Sequence, residues 1–200
     1  MPKKTIEEYK YEIREALIVA NWFKAYNLAL LLLDYKDVLS QENRCFCYIC
    51  LSIVKRNMDD SHAGAEFGYR AIELAHTQDQ KINARNALAN CYVDIGQHNK
   101  AVEIYNECIL ICDEWLDKLE GISRDVTGVI FGCKADAIHN KGDLLNDAVM
   151  VRESILWYRK SMSSRKGNDK KKVSDKIANA YSNLDRILHS SLFTPISQAF

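Results

Sequence analysis

The chain has 200 residues, 48% of them hydrophobic, so it is long enough to bury a substantial core. Its 27 Lys and Arg residues balance 27 Asp and Glu residues, which argues against a global field drawing the protein to nucleic acid or an anionic membrane. The longest apolar run, from Leu28 to Leu33, is far shorter than the ~20 residues of a membrane-spanning helix. The start "MPKKTIEEYK" lacks the apolar part of a signal peptide, and an odd count of seven cysteines indicates free thiols in a reducing compartment. We therefore expect a cytoplasmic protein that does not contact membranes.

Apolar residues recur at helical spacing along nearly the whole chain, and both prolines, Pro2 and Pro195, lie near its ends. Thr5 and Glu8 have the spacing of a capping box and predict where the first helix begins. In chain order we predict six helices over 5–20, 22–35, 40–55, 61–75, 81–95 and 99–121. A seventh helix ends before Gly142, an eighth follows it and runs to Trp157, and a ninth covers 173–189. Short connections between them indicate antiparallel neighbours, that is, a series of helical hairpins.

Two segments, 86–109 and 134–155, share one pattern of small residues, apolar residues and glycine. The matching residues are Ala89, Tyr92, Gly96 and Ala101 in the first segment and Ala135, Ile138, Gly142 and Ala148 in the second. Glycine is typical of helix ends, and small residues let two helices approach closely. Each segment is therefore predicted to be a helical hairpin whose turn lies at the glycine.

Residues 82–113 resemble a tetratricopeptide repeat, a helix-turn-helix unit of ~34 residues. The residues that carry the resemblance are Leu88, Ala89, Tyr92, Gly96, Ala101, Tyr105 and Cys108. Residues 129–155, 40–75 and 6–33 resemble the unit less closely; in 6–33, Ala20 replaces the glycine and Ala25 the packing alanine. The longer spacing between units looks like the variety found in bacterial signalling-peptide receptors and regulatory domains. The resemblance implies an all-α solenoid of about four hairpins with a C-terminal capping helix, 1–190 as one domain and 191–200 as a tail.

The stretch "CFCYIC" places three cysteines, Cys45, Cys47 and Cys50, within six residues. In a helix Cys45 and Cys47 point to opposite sides while Cys47 and Cys50 share a face, so the three thiolates do not converge on one zinc ion. In the repeat register Cys47 falls where Ala89 falls. We therefore interpret the cluster as small core side chains and expect no metal and no cofactor.

No glycine-rich phosphate loop, nucleophile elbow or paired metal-ligand motif occurs in the sequence. Asp136 and His139, spaced i,i+3, form the one acid–base or metal pair that suggests an enzyme. Without an evident third partner, the simpler interpretation is a polar pair on an exposed face. We expect a protein without catalytic activity.

Asn83, Asn86 and Asn90 form a stripe on the first helix of the best repeat. Asparagine is a poor helix former, and its carboxamide both donates and accepts, which suits it to the backbone of an extended peptide. The resemblance places this stripe in a concave groove lined by the first helices. The alternative is a solvated face with chance asparagines.

Carrying the same register to the other repeats extends the candidate peptide- or protein-binding set to Lys10, Arg14, Arg44, Tyr48, Asp136 and His139. Arg44 would pair with a carboxylate. The central repeat offers no Lys or Arg on this stripe, which departs from the family's carboxylate clamp. We predict a non-catalytic adaptor, chaperone or regulatory receptor. The alternatives are a self-assembling structural module, as a homodimer, and an enzyme using Asp136 and His139.

The segment "YRKSMSSRKGNDKKK" carries seven basic residues between two predicted helices. A contact with nucleic acid or an acidic protein surface is one interpretation. Because no aromatic residue interleaves the basic cluster, we favour a solvated loop and do not expect nucleic acid to be a partner. The apolar tail after Pro195 would cap the last helix, occupy a groove or fray.

Overall fold

The computed structural model describes residues 4–35, 39–118 and 123–192, and these residues form nine α-helices without a strand. The helices are α1 (Ile6–Ile18), α2 (Trp22–Leu33), α3 (Gln41–Asn57), α4 (Ser61–Leu74), α5 (Gln78–Asp94), α6 (His98–Leu116), α7 (Arg124–Leu144), α8 (Ala148–Ser164) and α9 (Gly167–Leu192). The all-α prediction is confirmed. None of the described helices is long and apolar enough to cross a membrane.

The helices begin where side chains satisfy the free N–H groups of the first turn. Thr5 and Glu8 form the predicted capping box of α1, and Thr77 and Gln80 form another at α5. The fourth helix is capped by Asp60, whose carboxylate accepts from the backbone N–H of Ala63, and not by Ser61 as predicted. Asp is among the strongest N-cap residues because its oxygens accept readily.

Four hairpin turns share one backbone geometry. Each contains a single residue in the left-handed region, namely Ala20 (φ 54°), Asp59 (φ 60°), Gly96 (φ 79°) and Asn146 (φ 52°). The next residue donates its N–H to a carbonyl five residues back, at 2.8–2.9 Å, as in a Schellman motif. The left-handed residue lies two positions before α2, α4, α6 and α8, so it gives a common origin for numbering the four hairpins.

This common origin corrects the predicted turn of the fourth hairpin. Gly142 does not end a helix: α7 continues to Leu144, and Asn146 is the left-handed residue. Gly142 is buried, and a Cβ there would lie 2.8 Å from Met150 Cβ. Its role is close packing against α8. Val151, not Ala148, therefore corresponds to Ala101, since each lies five residues after the left-handed residue.

The described residues divide into two compact units, Met1–Ile104 and Tyr105–Phe200, and the division falls within α6. In unit 1, α2 packs on α1 and α3, and α3 packs on both α4 and α5. Its largest core cluster is built from Ile13, Leu28, Ala29, Leu32, Leu39, Cys47, Cys50 and Leu51. The prediction of one domain over 1–190 stays a prediction.

Unit 2 contains α7, α8 and α9, with α8 packed against both of its neighbours. The core here is formed by Ala135, Val151, Ile155, Tyr158, Val173, Ala180, Leu184 and Ile187. The last two helices are longer than predicted, because α8 continues to Ser164 and α9 begins at Gly167. The basic segment is therefore mostly helical and not a loop. Residues 193–200 of the predicted tail, and Gly121, lie outside the described residues.

Candidate functional site

The asparagine stripe lies on α5, the first helix of the third hairpin. Asn83, Asn86 and Asn90 are half-buried. Asn83 hydrogen-bonds to Asp79; burial raises the pKa of that carboxyl, and the bond from Asn83 opposes the rise. Asn86 Oδ1 is buried and has no hydrogen-bond partner in the described part of the chain. Asn90 also has an interaction partner, so among the three asparagines it is the carbonyl oxygen of Asn86 that lacks one.

The equivalent stripe of α3 is apolar, which the sequence analysis missed. The three asparagines lie thirteen, ten and six residues before Gly96, and the same distances before Asp59 select Phe46, Ile49 and Ile53. All three of these side chains are half-buried. The sequence does contain a signal for this turn, namely the Asp59–Asp60 pair. Aspartate tolerates the left-handed region, as at Asp59, and it caps helices, as at Asp60.

Arg44 and Tyr48 lie outside this register. They were selected by aligning Cys47 with Ala89, whereas the turns align Ser52 with Ala89. Arg44 is exposed; Tyr48 stacks on Phe67 with ring centroids 6.1 Å apart. Arg70 lies 5.9 Å from the Tyr48 ring centroid and 6.0 Å from that of Phe67. Tyr48 thus belongs to an aromatic–cation group between α3 and α4.

Lys10 and Arg14 on α1 occupy the positions that correspond to Asn86 and Asn90. Their cationic groups lie 5.9 and 5.1 Å from the ring centroid of Phe46 on α3. Lys10 Nζ also pairs with Glu7 Oε1 at 2.8 Å. These contacts show that the basic stripe of α1 and the apolar stripe of α3 adjoin one another.

Asp136 and His139 on α7 are brought together with Tyr158 of α8. Tyr158 donates from its hydroxyl to Asp136 Oδ1 at 2.7 Å and lies 3.5 Å from His139 Nδ1. Two groups of α9 complete the arrangement: Lys176 Nζ donates to both Asp136 oxygens at 2.6–2.7 Å, and Asn183 Nδ2 lies 3.0 Å from His139 Nε2. The third partner that the sequence did not reveal is a tyrosine on the next helix.

A single assignment of donors and acceptors satisfies all the hydrogen bonds among Tyr158, His139 and Asn183. When Asn183 donates to His139 Nε2, the imidazole proton lies on Nδ1 and faces the Tyr158 oxygen, while the tyrosine proton faces Asp136. Burial lowers the pKa of His139 and raises that of Tyr158. Both groups are therefore held neutral, and Asp136 and His139 are engaged within unit 2.

All seven cysteines are buried, and none forms a disulfide, which confirms that the cluster belongs to the core. Cys47 and Cys50 pack in the main core of unit 1, while Cys45 faces α4 and donates to the carbonyl of Ala71 at 3.3 Å. Burial raises the pKa of Cys45 to about 11 and that of Cys47 to about 12. Thiols with such pKa values are poor nucleophiles and weak metal ligands at neutral pH. No group of metal-binding side chains occurs among the described residues.

No family model matches the chain, and a search of curated proteins finds no match. The resemblance to tetratricopeptide repeats therefore stays a prediction from the sequence.

Proposed function

We propose that unit 1 binds a peptide or protein segment, without catalysis, on a stripe formed by the first helices of its three hairpins. We call this the binding stripe; its members are Glu7, Lys10, Arg14, Phe46, Ile49, Ile53, Asn83, Asn86 and Asn90. The observation that carries the proposal is their common position: each lies six, ten or thirteen residues before a left-handed turn residue. Side chains at equal distances from equivalent turns occupy equivalent positions on successive first helices.

The chemistry of the stripe suits a segment with mixed character. The amides on α5 suit the donors and acceptors of a peptide backbone. On α3, Phe46, Ile49 and Ile53 suit apolar side chains of the ligand. The guanidinium of Arg14 on α1 suits a carboxylate. The ligand would therefore carry an acidic group where it meets α1 and apolar side chains where it meets α3, with its backbone bound by the amides of α5.

The fold supports the same proposal. Four hairpins with one turn geometry are what a solenoid of tetratricopeptide-like repeats requires, with α9 as the closing helix. In such an array the protein would act as an adaptor, chaperone or regulatory receptor. We expect Arg44 and Tyr48 to lie at the margin of the stripe and to influence which ligands bind; Tyr48 does so with its partners Phe67 and Arg70. Asp136 and His139 instead bind side chains of α9.

The experiment begins with a pull-down from a native lysate, followed by mapping of the captured partner to a short peptide. That peptide is then titrated against the wild type and against an Asn83→Ala/Asn86→Ala/Asn90→Ala variant of equal helicity. Each lost hydrogen bond costs roughly 1 kcal/mol, so we expect the affinity to fall about a hundredfold.

The matched control replaces three exposed asparagines elsewhere, Asn27, Asn106 and Asn179, with alanine. This control should bind like the wild type. A second variant, Phe46→Ala/Ile49→Ala, should weaken the same peptide, because it removes the apolar contacts on α3. Equal affinity of the wild type and both stripe variants would refute the proposal.

A further inference from the structure

A strong local charge distinguishes one part of this neutral chain. Residues 159–176 contain eight Lys and Arg residues and two Asp residues, a net charge of +6. Unit 2 as a whole is nearly neutral, with 14 basic and 13 acidic residues over 105–200. The positive charge is therefore concentrated in a patch and not spread over the unit.

Most of these side chains lie near the corner where α8 ends and α9 begins. Only Arg165 and Lys166 separate the two helices, and α8 packs against α9. We define the basic patch as five residues of this corner, all exposed: Arg159, Lys160, Lys166, Lys170 and Lys171. Lys166, Lys170 and Lys171 lie in the connection and the first turns of α9, whereas Arg159 extends from α8 to Tyr181, further along α9.

The five patch residues form no salt bridge within the described residues, whereas Lys172 and Lys176 of the same segment pair with Asp169 and Asp136. Asp125 and Asp169 also line a pocket beside Lys166. Elsewhere basic side chains pair with carboxylates, as Lys55 does with Asp60 at 2.9 Å and Arg56 with Asp94 at 2.7 Å. None of the five patch residues has such a pair in the described part of the chain. Repulsion among like charges makes this arrangement unfavourable unless counterions or an anionic partner compensate it.

Aromatic rings hold two of the patch cations without neutralising them. Lys160 Nζ lies 4.0 Å from the Trp157 ring centroid, and Arg159 donates to the Tyr181 hydroxyl at 2.7 Å. A cation held on a ring keeps its charge and loses less side-chain freedom when it binds an anion. The sequence showed no aromatic residue within the basic cluster, but the fold brings these rings to its edge.

We propose that the basic patch is a docking surface for an acidic segment of a partner protein. A compact patch suits a few carboxylates, whereas nucleic-acid binding typically shows a basic surface across a domain. The Trp157 ring is also occupied, with Lys134 Nζ at 4.1 Å and Lys160 Nζ at 4.0 Å from its centroid, so it does not offer a free face to a base. This surface belongs to unit 2 and does not depend on the binding stripe of unit 1.

The test uses the full chain and fluorescence anisotropy with three labelled probes of equal length: oligoglutamate, oligoglutamine and oligouridylate. We expect oligoglutamate to bind and the other two to bind at least about tenfold more weakly, with an affinity that falls as salt rises. A Lys166→Gln/Lys170→Gln/Lys171→Gln variant should lose roughly tenfold or more in oligoglutamate affinity. All three lysines are exposed.

The matched control removes the same charge from three exposed positions elsewhere, as Lys24→Gln/Lys118→Gln/Arg152→Gln. It should stay within about twofold of the wild type, because screening limits the reach of distant charges. Equal losses in both variants, or no oligoglutamate binding, would overturn the proposal. Tighter binding of oligouridylate, lost in the patch variant, would overturn it in favour of nucleic acid.

Discussion

At the scale of single residues, the buried polar groups of unit 2 show how the chain satisfies hydrogen bonds inside a helical core. His139 is 5% exposed and Tyr158 is 2% exposed, yet each has a polar partner. A buried polar group without a partner costs about 1–3 kcal/mol. The network therefore fixes how α7, α8 and α9 meet, because another register would leave several of these groups unpaired.

His139 predicts a dependence of stability on pH. Its folded-state pKa is lowered, chiefly by burial and also by Lys176, while Asp143 and Asp136 oppose the shift. The unfolded chain thus binds the proton at higher pH than the folded chain, and the free energy of unfolding should fall below about pH 6.5. The added slope is at most about 1.4 kcal/mol per pH unit. Urea unfolding between about pH 7 and pH 5 would measure it.

The pH dependence of the free energy of unfolding is then compared for His139→Gln and His62→Gln. His62 is the control because it is an exposed histidine. We expect His139→Gln to flatten the slope and His62→Gln to leave it unchanged. If both variants keep the wild-type slope, protonation of His139 is not coupled to folding.

At the scale of helices, the turn is the feature that repeats, and its residue type does not. Gly96 occupies the left-handed position in one hairpin, but Ala20, Asp59 and Asn146 occupy it in the others. The prediction that Ala20 takes the place of the glycine is confirmed. In the fourth hairpin Gly142 was predicted to be the turn residue, because glycine is the usual residue at a helix end, and this prediction is wrong. A buried helical glycine and a turn glycine look alike in a sequence.

Substitution by asparagine should separate these two glycines. Gly96 has a φ of 79° and no neighbouring atom near its missing Cβ, and asparagine tolerates the left-handed region. Gly96→Asn should therefore lower stability by less than about 1 kcal/mol. At Gly142 a Cβ would lie 2.8 Å from Met150 Cβ and 3.1 Å from Val151 Cγ2, so Gly142→Asn should cost about 3 kcal/mol.

Urea unfolding followed by circular dichroism would measure both variants, with Gly142→Ala as a smaller test of the same steric conflict. Similar small losses at the two positions would contradict the register derived from the turns. They would restore the glycine-to-glycine alignment of the third and fourth hairpins.

The same alignment error affected the choice of binding residues. Cys47 is small and buried, like Ala89, so the two matched by residue type. Counting from the left-handed residue instead aligns Ser52, also fully buried, with Ala89. Because several small residues of α3 are buried, composition does not select one register among them.

At the scale of the whole molecule, unit 2 is closed by a helix with two different faces. On its inner face α9 packs Val173, Ala180, Leu184 and Ile187 into the core, while most of its other described side chains are exposed. Asp143 and Asp136 of α7 pair with Arg186 and Lys176 of this helix. With its apolar face inward and its polar face outward, α9 covers the core of unit 2.

Truncation of Ile187 tests whether the two units unfold separately. Ile187 is 4% exposed, and Ile187→Ala should cost about 2–4 kcal/mol through lost burial and a cavity. We expect faster amide hydrogen exchange in α7, α8 and α9, with unchanged protection in α1 to α5. Hydrogen exchange followed by mass spectrometry would resolve the two sets of helices.

Leu156→Ala is the matched control, because this leucine is 58% exposed on α8 and its truncation removes little buried area. It should leave both units at wild-type protection. Equal acceleration in both units on Ile187→Ala would instead show one cooperative domain, as the sequence analysis predicted for 1–190.

The sequence by itself determined the helical class, the approximate positions of most helices, the capping box at Thr5 and the burial of the cysteines. These features follow from local rules, namely the period of apolar residues and the side chains that satisfy helix ends. The tertiary structure decided the register of the hairpins, the apolar stripe of α3, the partner of Asp136 and His139, and the rings beside the basic patch. These features depend on contacts between residues that are distant in sequence, as with Tyr158 and Asp136, and a single sequence does not show which of its helix faces meet.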